Sequence, residues 1–462
     1  MLRAGLVVAF ALLLTAPAAA RVVAPVRGEL TESGYVAEGD VALSGQGAIY
    51  TSYGRGGLPE VRALSADGAV RRLGGFEGPL RRRGTAHDVD VAASASTLVV
   101  VHRYPTTRDD IAGYRVGSPR GRGGPWVRCR TDIGEVVASG TAFSYVGCDE
   151  PGAVFVRDRA APGAGPRRFT GPEGWTVERT GLAGDYVAVF SSPPESVGGK
   201  PLLTVFNWRT GAVIHQLSGS LEDFALQADG KVVVAESLGS PTSPDCGGPN
   251  GLSWYSPAEP GRAHPLPQRS CDGRGLAMAR DRIVYSRSSY PTSTLWMTDL
   301  SGRTHLRLTD GPWWLVQPNP FAFDGERIAY VTGDCSRERV ILDTVGSIAA
   351  NGPGRQPVCP IRFAAPVRQR ADGRVEITVE CPRSCRGQWW VDVPGREAPL
   401  LEGDGFGVRA GAPKTLVSDR SLIRAGRRPQ RRRLRVYVSA AQPNGTERSA
   451  SRDATLRATL GE

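Results

Sequence analysis

Seven times along the chain, a short half-apolar strand, a tight turn and a β-branched or aromatic strand follow one another. The segments read VALSGQGAIYTS, VDVAASASTLVVVH, VVASGTAFSYVG, TGLAGDYVAVFSS, FALQADGKVVVAES, LAMARDRIVYSRS and FAFDGERIAYVTG. One equivalent residue from each second strand (Ile49, Val99, Phe143, Val187, Val232, Ile283 and Ile328) gives steps of 50, 44, 44, 45, 51 and 45 residues. A period near 45 with several strands per unit is that of a β-propeller blade, and seven units predict seven blades. One four-stranded blade cannot bury both of its faces, so such repeats are stable only when stacked, here by closing into a ring.

Each blade needs a second hairpin. EVRALSADGAVRRL, LTVFNWRTGAVIHQL and LWMTDLSGRTHLRLT supply it, each with two strands around an Asp-Gly, Thr-Gly or Ser-Gly turn. The two long steps mark insertions, GFEGPLRRRGTAHD after the first unit and SLGSPTSPDCGGPNG within the fifth. Beyond the first residues no segment longer than a turn or two has helical periodicity, so the expected class is all-β.

The repeat, with endings such as Leu306-Arg307-Leu308-Thr309-Asp310-Gly311, resembles the propeller repeats of the TolB family over roughly residues 35–355. The resemblance implies architecture rather than activity. The additional α/β domain of TolB has no counterpart segment, so its partner-binding role is not carried over. Related propeller serine peptidases need an α/β-hydrolase domain. The nearest fragment to a nucleophile elbow, Gly251-Leu252-Ser253-Trp254-Tyr255, lacks the closing glycine.

Residues 1–20 (MLRAGLVVAFALLLTAPAAA) carry one positive charge at Arg3, an apolar run, Pro17 and three alanines before Arg21. This is the anatomy of a secretory signal cleaved after Ala20, with an apolar run short for a membrane span. An exported location, extracellular or at the cell envelope, is therefore expected. Eight cysteines agree with it. They allow 105 connectivities, and proximity in sequence suggests Cys129–Cys148, Cys246–Cys271, Cys335–Cys359 and Cys381–Cys385. No CxxC occurs and the five histidines are scattered, so neither a metal nor another cofactor is expected.

From Pro360 the period changes. Strands are expected at 374–380, 387–393, 406–410, 414–418, 434–441 and 454–459, which predicts an immunoglobulin-like sandwich over 360–462 after a propeller over 21–359. The order E-C-P-x-x-C-x-G, F-x-V-x-A-G-x-x-K-T and an Arg-rich stretch into LRVYVSA resembles small sandwich modules on exported actinobacterial proteins. The net charge of +11 is concentrated here: 360–462 holds 20 basic and 11 acidic residues, whereas 21–359 holds 36 and 35. The stretch RAGRRPQRRRLR includes Arg427, Arg428, Arg431, Arg432 and Arg433 and has no acid. It reads either as a patch for an anionic cell-envelope polymer or as a solvated face in a chain with only three lysines among 57 basic residues. Nucleic acid is disfavoured by export and by the lack of aromatic residues among the arginines.

In a propeller the innermost strands line a central channel, and ligands bind at its mouth. The polar residues at or just before those strands are His87, Asp88 and Asp90; Glu178 and Arg179; Glu222 and Asp223; Asp272 and Arg274; and Asn319, with Glu38, Asp40, Glu135 and Gln317 at equivalent places. Such a set could hold a cation or a sugar, and two carboxylates suitably spaced could hydrolyse a glycosidic bond. Channel mouths are also polar simply because they are solvated. The expected function is a monomeric, non-catalytic binding or scaffold protein for a protein or glycan ligand, tethered by the basic sandwich. A glycan-directed hydrolase or lyase is the alternative.

Overall fold

The computed structural model describes residues 21–26, 41–53, 59–73, 88–95, 97–103, 109–115, 127–130, 133–161, 163–238, 249–271, 275–289, 292–309, 321–333, 338–352, 360–382, 385–392, 401–402, 406–409, 411–418, 431–441 and 447–457. Seven four-stranded antiparallel sheets form from the seven repeats. Their innermost strands are Val41–Ser44, Asp88–Ala93, Ile133–Ser139, Thr176–Ala183, Leu221–Leu226, Ala277–Ala279 and Phe321–Phe323. Each touches the next, and the last touches the first, so the ring is closed. The chain is a seven-bladed β-propeller followed by a small β-sandwich.

Burial between blades holds the ring together. The seven repeat-defining residues, from Ile49 to Ile328, all sit in second strands with 2 % or less of their surface exposed. Each interface between blades has its own apolar cluster: Ile49 with Leu98 between blades 1 and 2, for example, and Phe190 with Phe224 between blades 4 and 5. Second strands such as Val232–Ser237 are buried on both faces, hence their continuous runs of valine.

A belt of polar contacts links the turns that follow the innermost strands. Arg327 Nη2 donates to the Ser44 carbonyl at 2.8 Å, and Arg282 Nη1 to that of Gly325 at 2.6 Å. Gln227 exchanges two bonds with Asp281, Gly184 N donates to Ser139 Oγ at 3.0 Å, and Thr97 Oγ1 donates to the Gly140 carbonyl at 2.9 Å. The Cys129–Cys148 disulfide joins the outermost strand of blade 2 to blade 3, as expected from sequence. Cys381 and Cys385 are also paired. Cys246, Cys335 and Cys359 lie outside the described residues, so two of the four proposed pairings fall there.

One strand departs from the sequence expectation. Val22–Val26 was assigned to no blade, yet it forms the outermost strand of blade 7, pairing Val22 with Leu342 through to Val26 with Glu338. The seventh sheet is thus built from both ends of the propeller region, and Ala24 is fully buried. Pro25 is tolerated because this is an edge strand. A seven-residue helix, Val345–Asn351, follows blade 7, with Thr344 Oγ1 accepting from Ser347 N at its start.

The C-terminal residues form two sheets. In the first, Val375–Glu380 lies between Lys414–Val417 on one side and Arg362–Phe363 and Arg368–Gln369 on the other. In the second, Cys385–Asp392 pairs with Leu401–Glu402 and Phe406–Val408 on one side and Arg431–Ala441 on the other, and Arg431–Ala441 pairs with Glu447–Arg457. Val375, Ile377 and Val379 of the first sheet meet Trp389, Val391, Leu434, Val436 and Val438 of the second. Gly387 is required by close approach, since a Cβ there would lie 1.8 Å from the Ser439 carbonyl oxygen. The last two strands are longer than the sequence suggested. Arg431–Ala441 extends into the arginine stretch because register with Glu447–Arg457 continues through it.

His215, on the outermost strand of blade 4, is buried with its Nε2 3.2 Å from the Gly230 carbonyl and its Nδ1 without a partner. Burial lowers its pKa, and the bond to Gly230 opposes this only in part. The folded state therefore holds the neutral ring, while the unfolded chain takes up a proton near pH 6.5. Stability should fall as pH drops below about 6.5 and level off below the depressed folded value. His215→Leu should shrink the difference between urea midpoints at pH 5 and pH 8 relative to wild type. An unchanged difference would show that this ring is not the acid-sensitive group.

Candidate functional site

At the mouth end of the innermost strands, blades 3, 4 and 5 share a feature that the sequence did not disclose. Each has a β-bulge near its start, between Ile133 and Val136, Val177 and Arg179, and Leu221 and Asp223. The bulges contain Glu135, Glu178 and Glu222. A bulge leaves a residue unpaired and re-aims its neighbours. Glu178 and Glu222 are exposed at the mouth, whereas Arg179 and Asp223 turn toward each other across adjacent blades.

Asp223, 1 % exposed, is the hub of the cluster. Its Oδ1 accepts from Arg179 Nη1 and, at 2.8 Å, from Phe224 N. Its Oδ2 accepts from Gly275 N at 2.8 Å and Leu276 N at 2.9 Å, just before the innermost strand of blade 6. Glu135 Oε2 accepts from Thr180 N at 2.9 Å and lies 3.7 Å from Arg179 Nε. The Arg179 guanidinium also sits 5.2 Å from the Phe224 ring centroid. Burial acts to lower the Arg179 pKa, but Asp223 and then Glu135 outweigh it and raise it, so the guanidinium stays charged. One ion cluster thus spans blades 3 to 6.

The remaining proposed site residues are placed only in part. Asp88 and Asp90 lie on the innermost strand of blade 2. His87, Asp272, Arg274 and Asn319, like Glu38, Asp40 and Gln317, fall outside the described residues. So do Arg427 and Arg428, whereas Arg431, Arg432 and Arg433 begin a strand of the second C-terminal sheet. Gly251–Tyr255, the fragment compared with a nucleophile elbow, lies within strand Pro249–Tyr255. Among the described residues no cluster of His, Cys, Asp and Glu has a metal-binding arrangement, and no helix is long and apolar enough to cross a membrane.

Around the bulges of blades 3, 4 and 5 the mouth presents four carboxylates (Glu135, Glu178, Glu222 and Asp223) against one guanidinium, and Glu178 and Glu222 are the exposed two. It suits cationic or hydroxyl-rich ligands. At the opposite, turn end of the channel a cavity of about 390 Å³ opens between blades 1, 2, 3 and 7. It is lined by small side chains such as Ala42, Ala92 and Ala138, with the Asp324–Arg327 ion pair at its edge.

No sequence family and no curated protein matches the chain. Among solved structures it is similar to acylaminoacyl peptidase from Pyrococcus horikoshii (10 % identity, TM-score 0.46), covering 74 % of this chain and 57 % of that one. The β-propeller domain of the trilobed protease from Pyrococcus furiosus, described as having an open velcro topology, is 12 % identical with a TM-score of 0.40, covering 64 % and 91 %. TolB from Acinetobacter baumannii is 12 % identical with a TM-score of 0.37, covering 66 % and 78 %. The chain spans little more than half the length of the peptidase.

Proposed function

We propose that the chain is an exported, non-catalytic recognition protein whose propeller mouth binds a protein or glycan ligand and whose basic, immunoglobulin-like sandwich tethers it to an anionic polymer of the cell envelope. The observation that carries the non-catalytic reading is the division of labour among the mouth carboxylates. A general acid must hold a proton near neutral pH, which needs burial without compensating donors. The two buried carboxylates, Asp223 and Glu135, instead accept from backbone amides and face a guanidinium, so those donors are present around both. They join blades, leaving Glu178 and Glu222 to meet a ligand. Export is supported by two disulfide-paired cysteine pairs, which persist in oxidising compartments.

The test is a screen of the purified chain against glycan and ester substrates alongside a binding array. The expected result is retention of a ligand without turnover, with Glu178→Gln and Glu222→Gln weakening retention. Turnover that disappears in Asp88→Asn, Asp90→Asn variants would overturn the binding-only reading in favour of a hydrolase.

A further inference from the structure

The second sheet of the C-terminal sandwich has an outward face unlike an ordinary solvated one. Along Cys385–Asp392 the side chains alternate. Trp389 and Val391 enter the core, so Trp390 lies on the other face. Along Arg431–Ala441, Leu434, Val436 and Val438 enter the core, which sets Arg433, Arg435 and Tyr437 outward. Trp390 and Tyr437 are directly opposed across the two strands, with ring centroids 5.3 Å apart and planes within 8°. Parallel rings at that spacing are offset-stacked, which holds both of them rigid.

Polar groups able to recognise a sugar surround the pair. Arg435 Nε and Nη2 donate to the two oxygens of Asp453 at 2.7 and 3.3 Å, which fixes a planar charged pair beside Tyr437. Gln388 lies two residues along from Trp390 and is exposed. Directly across from Tyr437 the following strand carries the small, exposed Ser451. The indole N–H groups of Trp208, Trp254 and Trp296 in the propeller are all taken up by protein acceptors. Among the described residues no acceptor takes that of Trp390 and no hydrogen bond holds the exposed Arg433, whose charge also acts on the Asp453 carboxylate.

We propose that this face binds an acidic polysaccharide. The C–H face of a sugar ring lies against the Trp390–Tyr437 pair, the Arg435–Asp453 pair and Gln388 engage its hydroxyls, and Arg433 meets its carboxylate. Charge complementarity selects an acidic rather than a neutral polymer, because this part of the chain holds nearly twice as many basic as acidic residues. The inference deepens the tether reading above and rests on it, adding that the tether recognises sugar rings as well as charge.

The experiment uses the full chain with three immobilised polymers: polygalacturonate, which has sugar rings and charge; polyphosphate, which has charge alone; and dextran, which has rings alone. Polygalacturonate should bind most tightly. Trp390→Ala and Tyr437→Ala should each weaken it about tenfold, the scale of one lost ring contact, and leave polyphosphate binding unchanged. Arg433→Gln should weaken both charged polymers. Trp390→Phe, which keeps a ring and guards against misfolding of the alanine variant, should retain most of the affinity. Equal binding to polygalacturonate and polyphosphate that no aromatic variant alters would overturn the sugar platform and leave a purely electrostatic tether. Binding to neither charged polymer would overturn both.

Discussion

Deleting residues 21–26 should strip blade 7 of its outermost strand and reduce stability by several kcal/mol, on the order of 1 kcal/mol for each backbone hydrogen bond lost. The five residue pairs from Val22–Leu342 to Val26–Glu338 join the two ends of the propeller region by antiparallel strand pairing: every other blade is made from one continuous stretch of chain. The deletion also removes Arg21, whose Nη2 donates to Tyr330 Oη at 2.9 Å and whose Nε lies 4.0 Å from Asp343. Glu338–Thr344 would then be an exposed edge carrying Val340, Ile341 and Leu342, a template for pairing with other chains. Urea unfolding should show an early midpoint, and size-exclusion chromatography should show self-association. A monomeric deletion variant with the wild-type midpoint would mean that the ring holds without this strand. The cleavage point expected from the sequence, before Arg21, would leave the whole strand in place.

That strand shows where sequence reasoning stops. The blades were legible because each is a chain of local hairpins, so a pattern within about forty-five residues declares the unit and its core position. All seven residues chosen by period alone are buried. Val22–Val26 belongs to a blade more than three hundred residues away, repeats nothing, and follows an apolar run that draws the eye to export instead. The sandwich was legible for the same reason as the blades, from alternation such as VEITVE, whereas the extension of a strand into Arg431–Arg433 depended on register with a partner.

The candidate site was legible by position and illegible by role. Arg179, Asp223, Glu178 and Glu222 were all singled out as polar residues at strand starts, a criterion that cannot separate a residue joining blades from one facing a ligand. The bulges make the separation. Glu135, Glu178 and Glu222 stand 8, 9 and 10 residues before the repeat-defining Phe143, Val187 and Val232, so no fixed column aligns them. A glutamate recurring at a drifting offset in three consecutive repeats was the available signal, and its drift reflects the extra residues and unequal turns between it and the core position.

Asp223→Ala should be the most damaging single substitution at the mouth, with a loss of about 3–5 kcal/mol, the scale for removing one partner of a buried ion pair. Four donors converge on this carboxylate: Arg179 from blade 4, the amide of Phe224 in its own strand, and the amides of Gly275 and Leu276 leading into blade 6. With alanine in place, three amides lose their acceptor and the Arg179 guanidinium keeps Glu135, at 3.7 Å, and the more exposed Glu178 as charge partners. Asp223→Asn should be milder, since an amide oxygen can still accept from Gly275 and Leu276, yet its NH₂ would face the Arg179 donors without an acceptor for either. Arg179→Met should fall between the two, because it leaves Asp223 buried with its three amide bonds intact. Urea midpoints for the three variants should therefore rank Asn above Met above Ala, and protease sensitivity of the Ala variant should rise first at Gly275 and Leu276. A loss under about 1 kcal/mol for Asp223→Ala, the ordinary value for an exposed ion pair, would mean that the cluster does not join the blades. Its carboxylates would then be available to a ligand.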